Sequence, residues 1–282
     1  MTRGFRAFAC AIAAALALAA VPASAGDDHE SSYLALGDSY AFAFNPTISP
    51  TDSQNPANFP GYADAVAGAL DLHLTNAACP GETSGSMISG TLPDNGCQFW
   101  RAHFPLHTAY TGAQLAYAVT FLRTHHHVSL VTLQIGGNDL LTLQASCLGN
   151  PACIISGLPA VEAQMATNLN AIYVAIRHNG HYHGAIVVVP YFAFNYNDAN
   201  TVAITGSLDG VVASVGAAYH ARVADVLGAF QVASLPTGIP CFAGLQVPTP
   251  SSPTSPCDIH PSAAGHAVFA KAILAALNEQ GD

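Results

Sequence analysis

Three short segments carry side chains suited to nucleophilic chemistry, although they lie far apart in the chain. They are Gly37-Asp38-Ser39-Tyr40, Gly136-Gly137-Asn138-Asp139 and Asp258-Ile259-His260-Pro261. A serine hydroxyl becomes an effective nucleophile when an imidazole within hydrogen-bond reach removes its proton. Ser39 and His260 are the residue types for that pair. Each segment alone is ordinary turn sequence, but their joint presence predicts one reactive site, provided that the fold brings them together.

The alternation of apolar runs and helical periodicity predicts how the fold does this. Strands are predicted at residues 32–36, 72–77, 128–135, 185–189 and 230–235. Helices are predicted at residues 61–70, 111–124, 158–179, 207–228 and 263–278. Strands that alternate with helices at this spacing indicate βαβ units around a parallel sheet. Because reactive groups in such sheets lie beyond the carboxyl ends of the strands, we expect the three segments to meet at that edge.

Residues 1–25 have the features of a secretory signal peptide. Arg3 and Arg6 precede an apolar run over residues 7–21, and Ala23-Ser24-Ala25 matches an A-x-A cleavage site. A retained N-terminal anchor is the alternative, but the apolar run is short for a membrane span. We therefore expect a secreted, extracellular protein with one domain over residues 26–282 and no stable membrane insertion.

Composition limits the partners of the chain. Its 282 residues are 51% hydrophobic and 9% charged, with 7 Lys and Arg against 17 Asp and Glu. Such a chain can bury a large core, but it lacks the clustered cations that a nucleic-acid surface requires. The histidines His125-His126-His127, His178, His181 and His183 fall near predicted helix ends. We expect these histidines on the solvated surface rather than in a zinc site, and we expect no metal and no cofactor.

The cysteines indicate disulfide bonds. Of the seven, Cys10 lies in the predicted signal peptide, and an even number remains in a chain expected to be exported. Six cysteines allow many connectivities, but these fall into three local pairs that bracket turn-forming residues. The expected pairs are Cys79-Cys97, Cys147-Cys153 and Cys241-Cys257. The alternative is a metal site, which the absence of any Cys-x-x-Cys spacing disfavours.

The motifs resemble those of the SGNH hydrolases, also called GDSL esterases and lipases, and in particular their secreted actinobacterial members. Gly37-Asp38-Ser39-Tyr40 is similar to the first family block, and Asn76-Ala77-Ala78-Cys79-Pro80-Gly81 to the second. Gly136-Gly137-Asn138-Asp139 matches the third block, whereas Asp258 and His260 are closer together than in the family's Asp-x-x-His block. The resemblance implies a flavodoxin-like three-layer α/β/α sandwich, ester hydrolysis and three local disulfides.

The same resemblance assigns expected roles to residues. Ser39 is the nucleophile and His260 the general base. The main-chain N–H groups of Ser39 and Gly81, with the side-chain amide of Asn138, form an oxyanion hole. Two groups compete to orient His260: the carboxylate of Asp258, and the main-chain carbonyl of Cys257, since some similar proteins use a carbonyl there.

We therefore expect a serine esterase or lipase, monomeric and free of cofactors, that hydrolyses small-molecule or lipid esters through an acyl-enzyme. One alternative is a carbohydrate O-acetyl esterase, and another is a non-catalytic secreted binding module on the same fold. The aromatic segment at residues 191–196, with Phe42, Phe44, Phe99 and Trp100, is expected either to line an acyl-binding cleft or to anchor buried loops.

Overall fold

The computed structural model describes residue 1, residues 31–249 and residues 256–278. The predicted signal peptide, residues 1–25, therefore lies outside the described residues except for Met1. The strands are β1 Ser32–Gly37, β2 His73–Asn76, β3 Val128–Gln134, β4 Ala185–Val188, β5 Arg222–Val223, β6 Gln246–Pro248 and β7 Cys257–Pro261. The α-helices are α1 Ser39–Phe42, α2 Tyr62–Leu70, α3 Ser84–Ile88, α4 Cys97–His103, α5 Gln114–Thr124, α6 Gly137–Ser146, α7 Pro151–Val174, α8 Ala199–Ala217, α9 Val226–Ala233 and α10 Ala263–Asn278.

Five strands form a parallel sheet in the order β2-β1-β3-β4-β5. This is the strand order of flavodoxin-like folds, so the predicted architecture is confirmed. The interior strand β1 is buried on both faces, since Tyr33, Leu34, Ala35 and Leu36 have no exposed surface. Burial on both faces explains why β1 is a continuous apolar run rather than an alternating one.

Two groups of helices cover the sheet. Helix α10 packs against α2 and α9, and it also contacts β4 and β5. On the other side, α7 packs against α3, α6 and α8, while α5 contacts β1 and α8 contacts β4. The result is the expected three-layer α/β/α sandwich. No helix within the two described stretches is both long and apolar enough to cross a membrane.

The prediction of a last parallel strand at residues 230–235 was wrong. Phe230 lies in α9, where its ring stacks on that of Phe192 with 4.1 Å between centroids. The fifth strand is the two-residue β5, which interrupts the helix predicted over 207–228. A short apolar run does not reveal whether it is strand or helix, and the Asp225 side chain caps α9 by accepting from the Gly228 N–H. Two smaller differences also appear: α7 begins at Pro151, and it ends in a π-helical turn over Ala175–Asn179.

The last pair of strands was not predicted. β6 and β7 form a separate two-stranded antiparallel sheet, and β7 carries both Asp258 and His260. These two residues therefore lie outside the parallel sheet, and not at the end of one of its strands. The disulfide Cys241–Cys257 joins the start of β7 to the segment before β6, and the structure also contains Cys79–Cys97 and Cys147–Cys153.

Candidate active site

Ser39 lies at the tight junction between β1 and α1. Asp38 caps α1, because its Oδ1 accepts from the Tyr40 N–H at 3.0 Å. Gly37 has a φ of 144°, and a Cβ there would come within 2.1 Å of the Gln134 carbonyl oxygen on β3. Only glycine fits that close approach, which leaves Ser39 at the carboxyl edge of the sheet with 9% of its surface exposed.

A chain of hydrogen bonds links Ser39, His260 and Asp258. The Ser39 hydroxyl donates to the His260 Nε2, with 2.9 Å between the heavy atoms. In that tautomer the His260 Nδ1–H donates to the Asp258 Oδ1, which also accepts from the His260 main-chain N–H at 3.0 Å. Of the two acceptors proposed for the imidazole, the structure places the Asp258 carboxylate against Nδ1. The arrangement is that of a nucleophile, a general base and an orienting acid.

The electrostatics of Asp258 suit an orienting carboxylate. Partial burial raises its pKa, but the hydrogen bond from the His260 ring and the charge of that ring outweigh burial, so the pKa lies below its ordinary value. Asp258 therefore stays ionised beside the imidazole. The segment between them is held in place because the Tyr40 hydroxyl donates to the Ile259 carbonyl at 2.6 Å.

Gly81 and Asn138 reach the same cleft from the two strands that flank β1. Gly81 follows β2 and Asn138 follows β3, and both line a cleft that Ser39 and His260 also line. Gly81 has a φ of 84°, and a Cβ there would lie 2.4 Å from the Asn95 carbonyl oxygen. Its N–H makes no hydrogen bond within the described residues. Such an N–H can stabilise an anion that develops on a substrate.

The Asn138 side chain is fixed at both ends. Its Nδ2 donates to the Glu82 carbonyl at 3.0 Å, and its Oδ1 accepts from the Asn95 Nδ2 at 2.9 Å. An amide nitrogen carries two hydrogens, so one remains for a substrate oxygen. The geometry thus brings together the five site residues expected from the sequence: Ser39, Gly81, Asn138, Asp258 and His260.

A buried polar network beneath these residues was missed by the sequence analysis. The Gln114 Oε1 accepts from the Gly37 N–H at 2.7 Å, and its Nε2 donates to the Gly37 carbonyl at 2.9 Å and to the Glu82 Oε2 at 3.2 Å. Ser86 donates to the other Glu82 oxygen at 2.5 Å. Burial raises the pKa of Glu82 to about 7, against the lowering effect of these hydrogen bonds. Gln114 and Glu82 thereby join the turn that contains Ser39 to the loop that contains Gly81.

Two further carboxylates are used in the hydrogen bonding of turns. The Asp38 Oδ2 accepts from the Tyr191 hydroxyl at 2.5 Å, and burial raises the pKa of Asp38 to about 7. Both oxygens of Asp139 accept from Ser84, one from the hydroxyl at 2.6 Å and the other from the N–H at 2.9 Å. Burial also raises the pKa of Asp139. These bonds orient the turns on either side of Ser39 and Asn138.

Two cavities open beside Ser39. The one called here the apolar cavity has a volume of about 80 Å³, and the one called the aromatic cleft has about 290 Å³. The apolar cavity is lined by Asp38, Ser39, Tyr40, Gly137, Asn138, Leu140, Leu141, Gln144, Tyr191, Phe192, Phe194, Thr205, Leu208 and Ile259. The aromatic cleft is lined by Ser39, Phe44, Pro80, Gly81, Asn95, Gly96, Phe99, Trp100, Phe104, Asn138, Leu141, Ile259 and His260. Ser39 thus lies where the two cavities meet.

Among the described residues, one cluster has side chains of the metal-ligand type within reach of one another: Cys79, Glu82 and Cys97. Cys79 and Cys97 form a disulfide, so neither sulfur is a thiolate that could bind a metal. The histidines His125, His126 and His127 are exposed, as are His178, His181 and His183.

Known proteins resemble this chain in sequence family and in fold. A family model described as the GDSL-like Lipase/Acylhydrolase family matches residues 35–268. An extracellular lipase from Streptomyces rimosus superposes with a TM-score of 0.59 and 18% identity, over 87% of this chain and 99% of the lipase. No curated protein sequence matches the chain significantly.

Two other solved structures have the same fold. A phospholipase A1 from Streptomyces albidoflavus NA297 has a TM-score of 0.57 and 21% identity, over 89% of this chain and 100% of that one. A catalytic mutant of an acetylxylan esterase from Geobacillus stearothermophilus has a TM-score of 0.54 and 15% identity, over 88% of this chain and 94% of the esterase. At these identities the likeness is one of fold.

Proposed function

The chain belongs to the GDSL-like lipase/acylhydrolase family, and on that premise we propose that it is a carboxylic ester hydrolase with Ser39 as its nucleophile. The observation that carries the proposal is the continuous contact from the Ser39 hydroxyl through both nitrogens of His260 to Asp258. This contact lies beside the Asn138 amide and the Gly81 N–H, which has no hydrogen-bond partner in the part of the chain that the structure describes. Ester hydrolysis by a serine nucleophile uses groups of these kinds.

The first half of the reaction acylates the enzyme. His260 Nε2 takes the proton of Ser39 as Oγ forms a bond to the ester carbonyl carbon, and the carbonyl oxygen becomes an oxyanion. The N–H groups of Ser39 and Gly81 and the Asn138 amide donate to that oxyanion. The tetrahedral intermediate collapses when the ester C–O bond breaks, and His260 gives its proton to the departing alcohol.

Water completes the cycle. His260 removes a proton from water while its oxygen attacks the acyl carbon, and the same donors stabilise the second oxyanion. The bond to Ser39 Oγ then breaks, and His260 returns the proton to Ser39, so that a carboxylic acid leaves. Asp258 keeps the imidazole in the required tautomer and stabilises the imidazolium that forms twice in each cycle.

The proposal also covers export and domain organisation. We propose that residues 1–25 are a signal peptide and that residues 26–282 form one secreted, monomeric domain. Three disulfides among the described residues support an oxidising compartment. The Streptomyces rimosus lipase is extracellular by its description, which agrees with secretion.

Two substrate classes fit this chemistry. The similar Streptomyces proteins are a lipase and a phospholipase, which suggests lipid esters, whereas the Geobacillus esterase acts on acetylxylan. Acyl chain length separates the classes, because activity on chains of about eight carbons indicates a lipase and strict acetyl selectivity indicates an acetyl esterase.

The test uses p-nitrophenyl esters of increasing acyl length with the wild type, Ser39→Ala and His260→Ala. We expect the wild type to hydrolyse at least one ester, and both variants to lose at least about 10³-fold in kcat/KM. A serine-directed phosphonate should add its mass to the peptide that contains Ser39. If no ester is cleaved and Ser39 is not labelled, the chain is instead a binding module on this fold.

A further inference from the structure

We propose that the apolar cavity binds the acyl group of the substrate and admits short chains of about three carbons, while the aromatic cleft binds the alcohol. This inference rests on the proposed function and adds the direction in which the ester lies. It also favours short acyl groups over the long acyl chains of lipid esters.

The orientation follows from the four substituents of the tetrahedral carbon. One is Ser39 Oγ, and a second is the oxyanion, which must face Gly81 and Asn138. The third is the leaving oxygen, which must lie near His260 Nε2 to receive its proton. Gly81 and His260 line the aromatic cleft and not the apolar cavity. The fourth substituent, the acyl carbon chain, is left to enter the apolar cavity.

The walls of the apolar cavity suit a small hydrocarbon. Phe192 and Leu208 are almost fully buried behind it, and Leu140 contributes a half-buried side wall. Asp38 also lines it, but both carboxylate oxygens already accept hydrogen bonds, from Tyr40 and Tyr191. Both oxygens of the Asp38 carboxyl group are therefore already in hydrogen bonds, which disfavours a polar acyl group.

The volume of the apolar cavity sets the chain length. An engineered apolar cavity of about 150 Å³ holds one benzene molecule. The cavity beside Ser39 has about 80 Å³, roughly half of that. This corresponds to about three carbons, so acetyl to butyryl groups fit inside the cavity, whereas longer chains must displace Leu208 or Leu140 or extend out of the cavity into solvent. Close packing makes such displacement unfavourable.

The aromatic cleft is larger and more open. Phe44, Trp100 and Phe104 line it, and Phe99 stands at its rim with 64% of its surface exposed. The Phe44 ring meets the His260 ring edge-on, with 4.8 Å between centroids. An alcohol with a flat apolar face can lie against these rings, next to the nitrogen that protonates it.

The experiment measures kcat/KM for p-nitrophenyl acetate, butyrate and octanoate below their aggregation concentrations. We expect the wild type to prefer acetate or butyrate over octanoate by at least about tenfold, since one misfit methylene costs about 10–200-fold. Leu208→Ala should shift the octanoate-to-acetate ratio upward by about tenfold. Leu140→Ala, at a less buried position, should shift the ratio in the same direction and serves if Leu208→Ala does not fold.

Phe99→Ala is the matched control, because it enlarges the other side of Ser39. It should leave the octanoate-to-acetate ratio within about twofold of the wild type and raise KM for 2-naphthyl acetate several-fold. The inference is overturned if the wild type prefers octanoate, or if Phe99→Ala changes acyl preference while both leucine variants do not. Failure of the proposed function looks different, since then no ester is hydrolysed by any of these proteins.

Discussion

Asp258 and His260 are separated by a single residue, yet one carboxylate oxygen of Asp258 accepts both from the ring and from the main-chain N–H of His260. The strand conformation of β7 makes this possible. Side chains two apart on a strand lie on the same face, so both residues can face the Ser39 edge. The spacing between Asp258 and His260 is one residue shorter than in the family's Asp-x-x-His block, but it still places a carboxylate against the His260 Nδ1.

We expect Asp258→Asn to lower kcat/KM by about 10³–10⁴-fold, because an amide favours the wrong imidazole tautomer and cannot stabilise the imidazolium. The rate is measured with p-nitrophenyl acetate, and circular dichroism checks folding. Asp225→Asn, a change at an exposed carboxylate that caps α9, is the control and should retain the wild-type rate. A loss of only a few-fold in Asp258→Asn would show instead that a main-chain carbonyl, such as that of Cys257, orients the imidazole.

Asn138→Ala should reduce kcat by about 10²–10³-fold with a smaller change in KM, because the amide donates mainly in the transition state. Asn95→Ala removes the donor that holds the Asn138 Oδ1 but leaves the Asn138 amide in place. The loss of kcat in Asn95→Ala should therefore be much smaller than that in Asn138→Ala. Single-turnover kinetics of the two variants separate these effects. Equal losses of kcat in the two variants would mean that Asn138 only helps to hold the loops in place and does not donate to the oxyanion.

The sequence predicted the parallel strands β1 to β4 and the residues at their ends, because apolar runs and turn motifs are local signals. Other features depend on tertiary contacts. The apolar run around Phe230 does not by itself distinguish a helix from a strand, and the Phe230 ring packs against Phe192, which is distant in the chain. The sequence around Gln114 gives no signal of its hydrogen bonds to Gly37, because the two residues are distant in the chain and meet only in the folded protein. The antiparallel strand β7 was not predicted either, although Asp258 and His260 on it were selected as candidates from their residue types.

The disulfide Cys241–Cys257 should matter more for activity than Cys147–Cys153. The two close loops of 16 and 6 residues, so by loop entropy each removal costs a similar amount of stability, about 2–3 kcal/mol. Only Cys257 is adjacent to Asp258. We expect the double Cys→Ala change at Cys241 and Cys257 to lower kcat at 15 °C by about tenfold or more, and the same change at Cys147 and Cys153 to leave kcat near the wild-type value. Urea unfolding of both variants checks that their stability losses are comparable. Equal kcat in the two variants would show that β7 is held by its other contacts.

The buried acids should make the protein less stable as pH rises from about 4.5 to 7. Burial raises the pKa values of Asp38, Glu82 and Asp209 to about 7 in the folded protein. Each acid therefore keeps its proton in the folded state over a range where the unfolded chain has lost it. Since the folded state binds more protons there, the free energy of unfolding falls with increasing pH.

Replacement of Glu82 by Gln tests this directly. The stability associated with protonated Glu82 is complete below its unfolded pKa of 4.5 and is lost as pH rises through about 7. An amide mimics the protonated form at every pH, so Glu82→Gln should reduce the slope of unfolding free energy against pH by up to about 1.4 kcal/mol per pH unit. Urea unfolding at pH 5, 6 and 7 measures the slope, with Asp225→Asn as the control for loss of an exposed acid. A slope unchanged by Glu82→Gln would mean that Glu82 is ionised in the folded protein, and that Gln114 donates to a carboxylate rather than to a neutral acid.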